Sequence, residues 1–198
     1  MTFGQSFAAF ESDLERALSF EPEHLSAYEL TIEPGTPFEL AAQRGQLACE
    51  EEEGVARMLE SLAERASKVG IERYEISNYA RDGYVSRHNL HTWQGGEYWG
   101  IGASAHSFQK VPPRYQRFWN PRDLRGYLDQ IHSPKALPFH GEEITPQQHF
   151  GERLLTGLRL NEGVDVEILA RELDIPLPNP LLPLLERYQA TGHLAQDH

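Results

Sequence analysis

"EEEEGVARMLESLAERASKVGIERYEIS", residues 50–77, carries the reading that decides the fold. Val55, Met58, Leu59, Leu62, Ala66 and Val69 recur at steps of three and four, so one face is apolar and the spacing predicts an amphipathic helix. Glu50 to Glu53 suit the positive end of that helix as a solvated start. Lys68 suits its negative end, and Gly70 can take the left-handed cap conformation. IERYEIS, residues 71–77, follows at once and predicts a strand. A helix that runs directly into a strand must lay its apolar face on a sheet.

The same alternation holds upstream. Phe7, Phe10, Leu14, Ala17 and Leu18 predict a helix over 6–19, HLSAYELTI predicts a strand over 24–32, and Pro34-Gly35 ends it in a type II turn. Helix, strand, helix, strand at this spacing predicts an α/β fold of parallel units. Downstream, residues 78–96 show no period and read as a loop of about 19 residues, a length that in compact domains points to function or disorder. YWGIG, 98–102, reads as a buried strand, and 107–120 as a hairpin around Pro112-Pro113. Asn120-Pro121 opens a helix to about Ile131, and 133–144, with two prolines and a glycine, reads as a linker. Thr145-Pro146-Gln147-Gln148 is a capping box ahead of Phe150, Leu154, Leu155 and Leu158; Asp165 caps a helix over 166–173, and a third lies within 180–190. Three short helices followed by Thr191-Gly192-His193-Leu194 resemble a winged helix. Residues 142–198 hold four basic and ten acidic groups, which argues against its usual DNA partner.

Composition narrows the function. With 39% hydrophobic and 24% charged residues the chain suits a globular protein, and no run approaches the roughly 18 apolar residues of a membrane span. MTFGQSFAAFESDLERAL lacks the pattern of a secretory signal, so the cytoplasm is expected. A net charge of −12 argues against nucleic acid as a partner. Only residues 68–125 are basic, with nine basic against five acidic groups, and they hold 10 of the 20 aromatic residues. Cys49 is the single cysteine, which excludes an internal disulfide and any metal site of several thiolates.

Within the basic segment, SRHNLHTWQGGEYWGIGASAHS, residues 86–107, gathers three of the nine histidines and two of the three tryptophans. His88 and His91 stand three apart, but with no carboxylate or thiol nearby they do not make a zinc site. GIGASA is a Gly-x-Gly without the rest of a dinucleotide fingerprint, there is no P-loop, and no nucleophile elbow marks a serine. One ligand class fits. Tyr79, Tyr84, Trp93, Tyr98 and Trp99 offer stacking area, a histidine offers an axial ligand, and Arg81, Arg87, Arg114 and Arg117 offer fork donors, as a tetrapyrrole with carboxylate arms requires. The other reading is structural: Arg87 in a salt bridge, the arginine-rich aromatic loop closing a barrel end by cation–π contacts, Trp93 and Trp99 filling a core, and His106 buried against backbone.

AYELTIEPGTPF (27–38), YEISNYARDGYVSRHN (74–89), GGEYWGIGASAHS (95–107) and RLLTGLRLNEGVD (153–165) resemble the radical S-adenosylmethionine proteins of the HemW/HemN group, and the HemW haem chaperones more than the coproporphyrinogen III dehydrogenases. The resemblance implies the C-terminal part of a radical S-adenosylmethionine, TIM-like barrel over residues 1–132, then a small winged-helix-like helical domain over 145–198. It implies haem or porphyrin as ligand and a haem-receiving protein as partner. The HemW signature His-Asn-x-x-Tyr-Trp reads here His88-Asn89-Leu90-His91-Thr92-Trp93, so His88, Asn89 and Trp93 are the haem-binding candidates, His88 as the iron ligand, and Thr92 replaces the tyrosine. Leu30, Thr31, Leu90 and His106 fall near positions lining the family's adenosylmethionine pocket. The family's Cys-x3-Cys-x2-Cys, which holds a 4Fe-4S cluster, has no counterpart here, so the resemblance implies holding a ligand and not generating a radical. The chain reads as truncated at both ends. Two other outcomes follow from the same resemblance: a portion of a coproporphyrinogen III dehydrogenase, or an inactive incomplete reading frame that docks on another chain. An open half-barrel would expose a strand edge, and self-association through that edge is expected.

Overall fold

The structure, a computed structural model, describes residues 4–47, 52–111, 114–133, 140–179 and 181–195. It divides into two compact units, residues 1–90 with 159–161, and residues 91–158 with 162–198. Among the described residues no helix is long and apolar enough to cross a membrane.

The first unit opens with α1 (Phe7–Leu18), capped by the Ser6 hydroxyl. It continues through β1 (His24–Ser26), α2 (Pro37–Gln43), α3 (Glu52–Lys68), β2 (Glu72–Arg73) and β3 (Asn78–Ala80). The decisive helix forms where its periodicity places it, and Gly70 takes a left-handed φ of +77° at its end. Glu50 and Cys49 lie outside the described residues. Met58, Leu62 and Ala66 form the buried stripe of α3; they pack with Phe10 and Leu14 of α1, Ile71 and Tyr79. Glu11 of α1 ties the two helices on their polar flank by accepting from Ser61 and pairing with Arg65 at 3.1 Å.

The strands depart from the expected pattern. Their order is β1-β3-β2 and every pairing is antiparallel, so β3 lies between two strands that run in the same direction. The expected parallel pairing is absent among the described residues because the chain reverses immediately after β2. Tyr74 N–H donates to the Asn78 carbonyl at 3.1 Å, and Asn78 begins the return strand. The reversal is built around Glu75, whose residue is 0% exposed. Its carboxylate accepts from Ser77 N–H at 3.0 Å, from the Asn78 amide, and from Arg159 at 3.3 Å. Ile76 N–H donates to the Arg159 carbonyl, and Asn161 N–H to the Tyr74 carbonyl, so residues 159–161 run along the turn as part of this unit. The predicted strand over 24–32 is regular only at its first three residues, and that over 71–77 only at Glu72–Arg73.

The second unit begins within α4 (Arg87–Trp93). It continues with β4 (His106–Val111), β5 (Arg114–Trp119), α5 (Leu124–His132), β6 (Gly141–Ile144), α6 (Pro146–Gly157), α7 (Val166–Glu172) and α8 (Leu181–Ala190). β4 and β5 form the predicted hairpin, while Pro112-Pro113 lies outside the described residues. The supposed linker contributes β6, which extends the sheet in the order β4-β5-β6; residues 134–139 of it are not described. YWGIG is not a strand. Tyr98 bridges to Phe108, but Trp99 and Ile101 are 69% and 89% exposed. α5 starts three residues later than Asn120-Pro121 implied: Asp123 is its cap, accepting from Gly126 N–H, while the Asn120 amide donates to the Gly100 and Gly102 carbonyls.

The capping box at Thr145 and Gln148 forms as read, and the Asp165 cap as well. Phe150, Leu169, Ala170, Leu173 and Leu181 make the helical core. No strand follows α8 among the described residues, so the wing of a winged helix is not seen there. Beside this core, His149 of α6 is 2% exposed and stacks on Tyr115 and Phe108. Burial, then the charges of Arg153, Lys110 and Arg117, push its imidazole down to about 4.

Two expectations follow for stability. Replacing Glu75 by alanine strands the Ser77 and Asn78 donors in a dry turn, and is expected to lower unfolding free energy by about 3 kcal/mol, read as a fall in the urea midpoint. His149 titrates near 6.5 when unfolded and near 4 when folded. The unfolded chain therefore binds the extra proton across that window, and stability rises with pH. The contribution of roughly 3 kcal/mol is complete above pH 6.5 and is lost as pH falls to 4. Urea unfolding of the parent and of H149F across pH 4–7 checks this, since the phenylalanine variant should lack that slope.

Candidate functional site

α4 carries the histidine-rich signature, and the first unit builds its start. His24 of β1 lies 3.0 Å from the Tyr74 phenol, and the same phenol oxygen accepts from Ser86 N–H at 3.3 Å. Desolvation raises the Tyr74 pKa, so it stays a neutral phenol. Ser86 is the helix cap: its hydroxyl accepts from Asn89 N–H at 3.3 Å and its carbonyl from Leu90 N–H at 3.0 Å. These bonds turn a stretch read as structureless into a helix. The missed signal is a serine three residues ahead of Asn89, with Leu90 and Trp93 at helical spacing behind it.

The helix sorts the signature by face. His88, His91 and Thr92 share one side at steps of three and four, while Asn89 and Trp93 share another. His88 is exposed; Asn89, Leu90, Thr92 and Trp93 are half-buried. His91 donates from Nε2 to the Glu97 carbonyl at 2.8 Å, so its ring closes the loop after the helix. The loop needs glycine at its second and third positions. Gly95 has a φ of +68°, and a Cβ on Gly96 would stand 2.2 Å from the His91 ring.

The remaining predicted residues are dispersed. Leu30 and Thr31 are exposed in an irregular segment of the first unit. His106 opens β4 in the second unit; it is exposed, not buried, stacks on Trp119, and its Nδ1 lies 3.1 Å from the Ser104 carbonyl. Of the proposed aromatic wall, Tyr79 is core and Tyr84 is exposed in the first unit, while Trp93, Tyr98 and Trp99 belong to the second. Trp99 does not fill a core. Three of the arginines are engaged at home: Arg81 with the Val69 and Pro22 carbonyls, Arg114 with Glu143, and Arg117 with Glu142 and Glu152. GIGASA is likewise closed on itself, with Gly100 N–H on Ser107 and Gly102 N–H on the Tyr127 phenol, so it cradles no phosphate. Among the described residues no group of three or more His, Cys, Asp or Glu could hold a metal ion.

Residues 144–198 match the family described as the HemN C-terminal domain. The chain is 34% identical over 189 residues to the heme chaperone HemW of Bacillus subtilis, covering 93% of this chain and 48% of that protein. It is 37% identical over 162 residues to the heme chaperone HemW of a Synechocystis species, covering 81% and 38% respectively. A solved structure described as coproporphyrinogen III oxidase (HemN) from Escherichia coli, a radical SAM enzyme, superposes with a TM-score of 0.70 at 18% identity, covering 99% of this chain and 48% of that one. The chain thus spans about half the length, or less, of these relatives.

Gly96→Ala is expected to push the His91 ring off the Glu97 carbonyl at a cost of about 1 kcal/mol, the net worth of one such bond. The ring nitrogen shifts of His91 in a nitrogen-15 spectrum report the displacement, and unchanged shifts would contradict it.

Proposed function

The chain is HemW/HemN-like, and on that premise we propose that it holds haem or a porphyrin at α4, with His88 as the iron ligand. The observation that carries this reading is the exposed imidazole of His88 on a helix whose start is fixed by Ser86 and Tyr74. A rigidly seated, solvent-facing imidazole is what an incoming haem iron can take as an axial ligand. Asn89 serves this site through its backbone N–H, which the Ser86 cap accepts, and Trp93 forms the next turn. The heme chaperones named above support haem as the cargo.

Thr92 sets the strength of the site. Standing four residues after His88 on the same face, a tyrosine there would lay a ring beside an iron-bound macrocycle, and threonine does not. The 4Fe-4S cluster of the radical S-adenosylmethionine family does not fit this chain, because Cys49 is its sole cysteine and the cluster requires three thiolates. Leu30, Thr31, Leu90 and His106 are proposed to face adenosylmethionine in a longer protein. Residues 1–132 are proposed as the barrel portion and 145–198 as the helical domain. The cell compartment is proposed to be the cytoplasm. A haem-receiving protein, and a second copy docking on the edge strand β1, are the proposed partners.

Haem titration of the 198-residue chain, followed at the Soret band, tests this reading. His88→Ala is expected to abolish the ligand-dependent Soret shift and weaken binding by about tenfold or more, while Thr92→Tyr is expected to strengthen it by about fivefold, roughly 1 kcal/mol of added stacking. A Soret spectrum identical in parent and H88A would remove His88 from the mechanism.

A further inference from the structure

In the second unit a half-open pocket of about 270 Å3 is lined by β4, β5, α6, the end of α4 and the loop after it. His149, Glu152, Arg153 and Thr156 line it from one side, at the steps of three and four that define a single face of α6. Phe108 and Tyr98 supply apolar walls. His149 is 2% exposed, and neither of its ring nitrogens has a hydrogen-bond partner. A buried imidazole with two unmet nitrogens is costly unless something else meets them. Glu152 does not, since its carboxylate is 4.0 Å away and accepts from Arg117 at 2.7 Å.

The charges decide what the cavity admits. Arg117, Arg153 and Lys110 all act on the imidazole to disfavour a further positive charge, while Glu142, Glu152 and Glu172 pair with the two arginines. At the imidazole itself those charges disfavour a metal ion or an ammonium group. Arg117 is held by two glutamates, whereas among the described residues Arg153 pairs with Glu172 at 3.6 Å. Gly95 makes room for Arg153: a Cβ there would lie 2.1 Å from the arginine Cδ. The volume lies just under the roughly 300 Å3 at which small-molecule sites begin, enough for one ring and a carboxylate and too little for a macrocycle of four rings.

We infer that this cavity is a second ligand site, which takes a small aromatic carboxylate with its ring on Phe108 and Tyr98 and its carboxylate on Arg153 and the His149 N–H. His88 does not line it, but Thr92 of the same helix does, so the pocket and the haem reading meet at α4.

Saturation-transfer NMR on the full chain tests the site with benzoate as probe and benzylammonium as the charge-reversed control. Benzoate is expected to saturate with a Kd of about 1 mM or tighter, and benzylammonium to show no saturable transfer. Arg153→Gln and His149→Phe are each expected to weaken benzoate by about tenfold or more. H149F keeps a ring stacked on Tyr115, so it decides alone if thermal melting shows that R153Q is unfolded. Unsaturable benzoate, equal binding of benzylammonium, or a folded variant that binds benzoate as the parent does would each overturn the inference and leave a cavity filled by water. H149F leaves His88 untouched, so its haem titration separates failure of this site from failure of the haem site.

Discussion

A carboxylate with no access to water must be given its donors by the chain, and Glu75 organises the first unit on that condition. Its partners are a backbone N–H two residues on, the amide of Asn78, and a guanidinium from 84 positions later in the sequence. The first two fold the chain back on itself directly after β2. That reversal places β3 between β1 and β2, so strands that leave helices in the same direction, as in a parallel unit, never become neighbours. The third donor brings in residues 159–161, whose backbone completes the hydrogen bonding of the turn. A glutamate in IERYEIS looks like the polar half of an alternating strand, and it proves to be the most deeply buried ionisable group of that unit.

Helices were legible in the sequence because their ends are written locally. Ser6, Thr145 with Gln148, and Asp165 each satisfy backbone N–H groups within three residues of themselves, so a reader of the sequence sees both partners at once. The stripe of Met58, Leu62 and Ala66 is equally local. Strands were harder, since their partners are remote: 24–32 has the composition of a strand throughout, yet only its first three residues find β3. Gly141–Ile144 has a composition suited to a linker and pairs with β5 all the same. α4 was hidden for a related reason, since the phenol that seats its cap comes from Tyr74, twelve residues upstream.

The candidate site was legible by type and not by position. The signature residues could be named from the sequence, and the helix then separates them, with His88 and Trp93 on different faces. The arginines are the clearest miss. A cluster of positive charge among aromatic residues suggested donors waiting for carboxylate arms, but Arg114 and Arg117 have glutamate partners on β6 and α6. The segment is basic only when counted alone; the acidic segment that follows it in sequence neutralises it in space. By the same logic His149, Glu152, Arg153 and Thr156 share one polar face of α6, and their spacing alone does not tell that His149 is buried. A polar stripe says that a face is uniform in character, and only the fold says whether that face meets water.

Residues 159–161 belong to the first unit although the residues on both sides of them belong to the second. The chain therefore crosses from one unit to the other three times, and neither unit is an uninterrupted stretch. On the ribosome this has an order built into it. Until Arg159 has emerged, the Glu75 turn is without its guanidinium and the backbone of residues 159–161, so the first unit stays incomplete until that part of the chain has been synthesised. Closure over so long a separation is slow compared with the helix-capping steps around it, which makes the arrival of Arg159 the event that locks the N-terminal unit.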